Sequence, residues 1–219
     1  MLSCFPASAE PGKGFTSVTY SQVAFREPES RADQTRLMGI VTTGPETGYY
    51  VDVFRSRKER GGDKKHDYFY HNLGQTMTLT AADGTDLNLQ PTEELAFAGA
   101  HLYAYSYLYD KKVATTGQDV KVTFTIDMKD KGGDDISMNL WMKGEPEREV
   151  FTALSPMTEG LSRTPHMPYN IKEQLRSPSL PGSMEKHGTV LLLLFMNQVR
   201  RKSLRLFNLS LTSMRKSPV

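Results

Sequence analysis

The sequence predicts an all-β protein, an antiparallel two-layer β-sandwich. Three observations carry this. Apolar residues recur at every second position in run after run, the period of a half-buried strand. The runs are short and separated by turns rich in glycine or charge. Before residue 174, no window longer than about ten residues shows an apolar stripe at helical spacing.

In chain order, strands are expected at Thr16–Phe25 and Arg36–Thr42. Next, Tyr49, Val51 and Val53 oppose Tyr50, Asp52 and Phe54. His66–His71 reads as a further strand. In "TMTLTAADGTDLNLQ", residues 76–90, Met77 and Leu79 face Leu87 and Leu89 across "ADGTD". This predicts a hairpin, because Asp-Gly supplies the positive φ a tight turn needs. Leu102–Tyr109 is the next expected strand. In Val120–Ile126, Val120, Val122, Phe124 and Ile126 alternate with Lys121, Thr123 and Thr125. Ile136, Met138, Leu140 and Met142 repeat the pattern with Trp141 on the opposite face, and Glu149–Leu154 follows.

With 219 residues the chain can bury a real core, and 38% hydrophobic against 24% charged residues is a globular balance. A net charge of +2 points to neither nucleic acid nor anionic lipid as partner. The single cysteine, Cys4, excludes an internal disulfide and a cysteine-based metal cluster. "MLSCFPASAEPGKG" has neither a basic start nor an apolar run and reads as a poor signal peptide. The apolar run Val190–Met196 is far short of the roughly 20 residues that span a bilayer, so no membrane span is expected.

Three stretches invite a chemical reading. "GYYVDVFRSRKERGGDKKHDYFYHNLG", residues 48–74, holds His66, His71 and the acids Asp52 and Asp67. Imidazole and carboxylate together suit zinc. On a regular strand, however, His66 and His71 point to opposite faces and need a bulge or strand end to share an ion; the alternative is a plain strand with polar residues in solvent. "HLYAYSYLYD" sets Tyr103, Tyr105, Tyr107 and Tyr109 on one face, a strip that either stacks on sugar rings or packs inside the protein. "KERGGDKK" is basic and glycine-bearing, but a strand follows it where a phosphate loop needs a helix. It reads as a solvated hairpin tip. No nucleophile elbow, zincin or Walker pattern occurs.

The order "YYVDVFRSR…GGDKKHDYFYHNLG", with "TRLMGIV" before it and "PMTEGLSRTPHMPYNIKEQ" after it, resembles the sandwich part of the heparinase II/III-like polysaccharide lyases over roughly residues 15–174. The resemblance implies β-elimination on uronic-acid-containing glycans, with a base taking the proton beside the carboxylate and an acid, often tyrosine, protonating the leaving oxygen. It also implies an upstream α/α toroid as partner domain, an acidic polysaccharide as ligand, and a periplasmic or secreted setting. Nothing in the chain resembles the toroid or the strand that carries the sandwich histidine, so no catalytic residue is assigned. No cofactor is required; a structural zinc in full-length members implies a role for His66, with His71 beside it.

After Gln174 the composition turns to Leu, Ser, Arg and Lys. A one-base shift turns Met184-Glu185 into a forced glycine and Met196-Asn197 into a forced glutamate, and permitted codons then give "HGEAR" and "YEP", like the end of the family's sandwich. The sequence therefore predicts an irregular segment over 1–14, the sandwich over 15–174, and an out-of-frame, poorly ordered tail over 175–219. The sandwich is expected to be incomplete at its C-terminal end, with "TVLLLLFM" able to fill an open strand edge. The expected function is the sandwich scaffold of a polysaccharide lyase, inactive alone. The alternative is a stand-alone carbohydrate-binding module using the tyrosine strip.

Overall fold

The computed structural model describes residues 2–5, 17–28, 31–44, 47–58, 64–65, 67–94, 106–154, 184–185 and 190–200. These form an all-β, sandwich-like fold with no α-helix among the described residues. The strands are β1 (Leu2–Phe5), β2 (Val18–Arg26), β3 (Asp33–Gly44), β4 (Thr47–Arg57), β5 (Lys64–Lys65), β6 (Thr76–Ala81), β7 (Gln90–Pro91), β8 (Tyr109–Thr116), β9 (Val120–Ile126), β10 (Ile136–Met142), β11 (Arg148–Leu154), β12 (Met184–Glu185) and β13 (Val190–Arg200). An eight-stranded antiparallel sheet runs β1-β2-β3-β4-β13-β10-β9-β6, a three-stranded sheet runs β11-β8-β7, and β12 pairs with β5.

The period-two pattern does what it predicts in β6, β9 and β10. Leu79 stands opposite Val122, which stands opposite Leu140; Ala81, Val120 and Met142 form the adjacent row. Cross-strand partners share a face, so these side chains make one apolar surface. Together with Val150 of β11 and Tyr68 they form the buried core, against which Leu87, Leu89 and Ala114 also pack. The core thus lies between the large sheet and the short one. The outer face of the same strands is polar: Thr123 donates to Asn139 at 2.8 Å, and Lys121 sits 5.5 Å from the Trp141 ring centre.

Two glycines make the turns possible. Gly84 adopts φ 95°, the conformation foreseen for Asp-Gly. At Gly144, a Cβ would lie 2.3 Å from the Gly117 carbonyl oxygen, so only glycine lets the β10–β11 turn close on the β8–β9 turn. Under that turn Arg148 is 1% exposed, its Nη1 donating to the Lys143 carbonyl and its Nη2 lying 3.3 Å from Glu145 Oε2.

Three expectations need correction. The turn at Gly84 forms, but the chain after it does not pair back on β6. Residues 85–89 carry no strand, Gln90–Pro91 join β8 in the other sheet, and β6 pairs with β9 instead. Leu87 and Leu89, partly buried, pack against the core cluster instead. The expected strand His66–His71 is also absent: residues 67–74 are irregular, and His66 is outside the described residues. This segment crosses the inner face of the large sheet and spends Tyr68 and Tyr70 as cover, the Tyr70 ring lying 5.7 Å from that of Phe124. Finally, of the expected strand Leu102–Tyr109, residues 106–108 are not strand and β8 begins at Tyr109; residues 101–105 lie outside the described residues.

The run "TVLLLLFM" supplies β13, but not at an edge. Val190–Met196 pair with β4 and Leu194–Arg200 are among those that pair with β10, so β13 sits in the middle of the large sheet with a partner on each side. A strand flanked on both sides has its backbone N–H and C=O groups paired along both edges.

Candidate functional site

Where β3, β4 and the crossing segment meet, three polar side chains gather. Asp52 pairs with Met38 across β3–β4, and Arg36 pairs with Phe54. That register puts Arg36 and Asp52 on one face as diagonal neighbours, within reach of a long side chain. Arg36 Nε lies 3.0 Å and 3.1 Å from the two carboxylate oxygens, and its Nη2 lies 2.5 Å from Oδ2. From above, the Tyr68 hydroxyl donates to Asp52 Oδ2 at 2.9 Å, and Arg36 Nη2 is 3.4 Å from the same hydroxyl. The Phe54 and Tyr68 rings, 5.9 Å apart, close the cluster on one side.

Asp52 is 0% exposed, whereas the Arg36 side chain is 44% exposed. A carboxylate taken wholly out of water costs several kcal/mol unless its oxygens are matched by donors, and here both are. The pairing leaves its mark on the partners. The hydrogen bond to Asp52 raises the pKa of Arg36. Burial, and then the Asp52 charge, holds the Tyr68 hydroxyl well above the ordinary tyrosine range. Tyr70 is pushed in the same direction, chiefly by burial.

The arrangement limits the chemistry available. Tyr68 keeps its proton and engages it in a hydrogen bond to a carboxylate, so it is neither a base near neutral pH nor free to protonate a leaving group. Arg36 can act, because Nε and Nη2 spend only part of its five donors. What the cluster offers is a fixed cation at the surface of the sheet, braced from below.

The residues singled out in the sequence are placed as follows. Asp52 lies in this cluster, but its oxygens serve Arg36 and Tyr68. His71 is exposed, its ring stacked on Phe69 at 6.3 Å, and His66 lies outside the described residues. No group of three or more His, Cys, Asp or Glu side chains suited to a metal occurs among the described residues. Tyr107 and Tyr109 are 60% and 50% exposed, just before and at the start of β8. Tyr103 and Tyr105 lie outside the described residues. Arg36 escaped the sequence reading. Its signal was weak: a charged residue at an inward position of "TRLMGIV", which only a buried acid on the next strand explains.

A sandwich-like β fold that carries a braced surface cation was compared with known proteins. The chain is 32% identical over 133 residues to the endo-acting ulvan lyase of Formosa agariphila. The match covers 59% of this chain and 16% of the lyase, so the chain spans a small part of that relative's length. This relates the chain to the polysaccharide lyases. No protein-family model matches it, and no solved structure does.

Proposed function

We propose that the chain is the sandwich portion of a heparinase II/III-like lyase of acidic polysaccharides, supporting the glycan while an α/α toroid partner domain supplies the reacting groups. The observation that carries this reading is the likeness to an ulvan lyase along a chain whose described part is β-sheet. The Arg36 cluster is consistent with it: it holds charge in place and moves no proton. The chain alone is then inactive, and His66 and His71 matter, if zinc is held, only to structure.

The test is incubation of the purified chain with ulvan, alginate, heparin and heparan sulfate, following the absorbance of the unsaturated uronate that β-elimination leaves. No product is expected; product formed by the chain unaided overturns the scaffold reading. A second reading, a self-sufficient carbohydrate-binding module on Tyr103, Tyr105, Tyr107 and Tyr109, draws on the exposure of Tyr107 and Tyr109. It requires Tyr109→Ala to remove most of the glycan affinity.

A further inference from the structure

The inner face of the large sheet is only partly covered. The short sheet and the crossing segment shield β6, β9, β10 and Asp52. Beyond Asp52, Val23, Phe25, Met38, Ile40 and Tyr50 are left between 38% and 48% exposed. The register places all five on the face that carries Arg36: Val23 opposite Arg36, Phe25 opposite Gln34, Met38 opposite Asp52, and Ile40 opposite Tyr50. Thr19 and Ser21 complete it, opposite Ile40 and Met38. Three strands at about 4.8 Å spacing make this a flat platform of sugar-ring dimensions.

Arg36 stands in the middle of the platform. Its Nε and Nη2 are committed to Asp52 and Tyr68, and Nη1 has no acceptor among the described residues. Among the described residues nothing accepts from the two Nη1 hydrogens. Because two partners already hold the guanidinium, little side-chain freedom is left to lose when it binds. The charges on this face of β2, β3 and β4 are two, Arg36 and Asp52, and the acid is buried beneath the cation.

We propose that this face binds an anionic polysaccharide, a sugar ring resting its apolar C–H side on Tyr50 and Met38 while its carboxylate or sulfate ester accepts hydrogen bonds from Arg36 Nη1. The assignment rests on the polysaccharide reading above and adds the place where the ligand sits and the groups that would hold it. Charge decides the occupant. A purely apolar partner would bury the Nη1 hydrogens with no acceptor, a costly desolvation. A second copy laid face to face would bring Arg36 against a platform with no exposed acid. An anionic sugar satisfies both the cation and the apolar surround.

Calorimetry of the full chain with alginate, ulvan and dextran sulfate oligosaccharides, and with neutral dextran, tests this. At least one of the three anionic glycans is expected to bind and dextran is not; alginate and dextran sulfate separate carboxylate from sulfate recognition. Tyr50→Ala, which leaves the Arg36–Asp52–Tyr68 bonds in place, should weaken binding about tenfold, as should Arg36→Gln, and Arg36→Lys should weaken it less. Should Arg36→Gln fail to fold, Tyr50→Ala and Met38→Ala carry the test. Equal binding of dextran, no binding of any anionic glycan, or unchanged affinity in Tyr50→Ala and Met38→Ala overturns the proposal. Affinity lost in Tyr109→Ala but kept in Tyr50→Ala overturns this site and leaves the polysaccharide reading standing, whereas product from the chain alone overturns the scaffold reading and leaves this site.

Discussion

Asp52 sets the terms for its neighbours. Replacing Arg36 by alanine leaves a fully buried carboxylate with Tyr68 as its remaining side-chain donor, and stability should fall by about 2–3 kcal/mol. The Arg36→Ala/Asp52→Asn pair should recover part of that loss, because the stranded charge goes with the acid. Urea midpoints of the two variants check this. Tyr68 adds a pH dependence. The native state holds its phenolic proton above the ordinary tyrosine range, so the unfolded chain loses that proton first as pH rises. Stability from this group is therefore complete below about pH 10 and declines as pH climbs further. In Tyr68→Phe the alkaline decline should be shallower, though not absent, since Tyr70 shifts in the same direction. Thermal unfolding between neutral and strongly alkaline pH measures it.

Strands legible one at a time differ from strands that need the rest of the chain. In Val120–Ile126 and Ile136–Met142 the expected bounds and the observed ones coincide, because each strand shows one face to the core and one to solvent, and alternation is the local trace of that. β13 has no alternation, and its place between β4 and β10 is invisible in its own residues. Its role is testable: Leu193→Pro removes a ladder hydrogen bond from an interior strand, and a loss of roughly 3 kcal/mol or more, or outright aggregation, is expected in denaturation experiments. Gly144→Ala should cost about 1–3 kcal/mol through the clash with Gly117, an effect confined to the two facing turns.

At the scale of the molecule, β13 is, among the described residues, the strand that joins β1–β4 on one side of the large sheet to β6, β9 and β10 on the other. Because it comes from late in the chain, the sheet closes through contacts of long sequence separation, and slow refolding follows. Amide exchange should be slowest in Val120–Phe124 and Leu140–Met142, which are buried in the core, and faster by orders of magnitude in Val18–Arg26, whose inner face is open to water. Uniform protection across the eight strands would contradict this picture.

The all-β class, the apolar faces of β6, β9 and β10, and the kinship with polysaccharide lyases could all be read from the sequence, since alternation and motif order are properties of neighbouring residues. The company of Asp52, the conversion of residues 67–74 from strand to cover, and the central position of β13 could not. These depend on which distant segment can neutralise a buried charge or fill a gap between two strands, and that is settled only when the sheets close on one another.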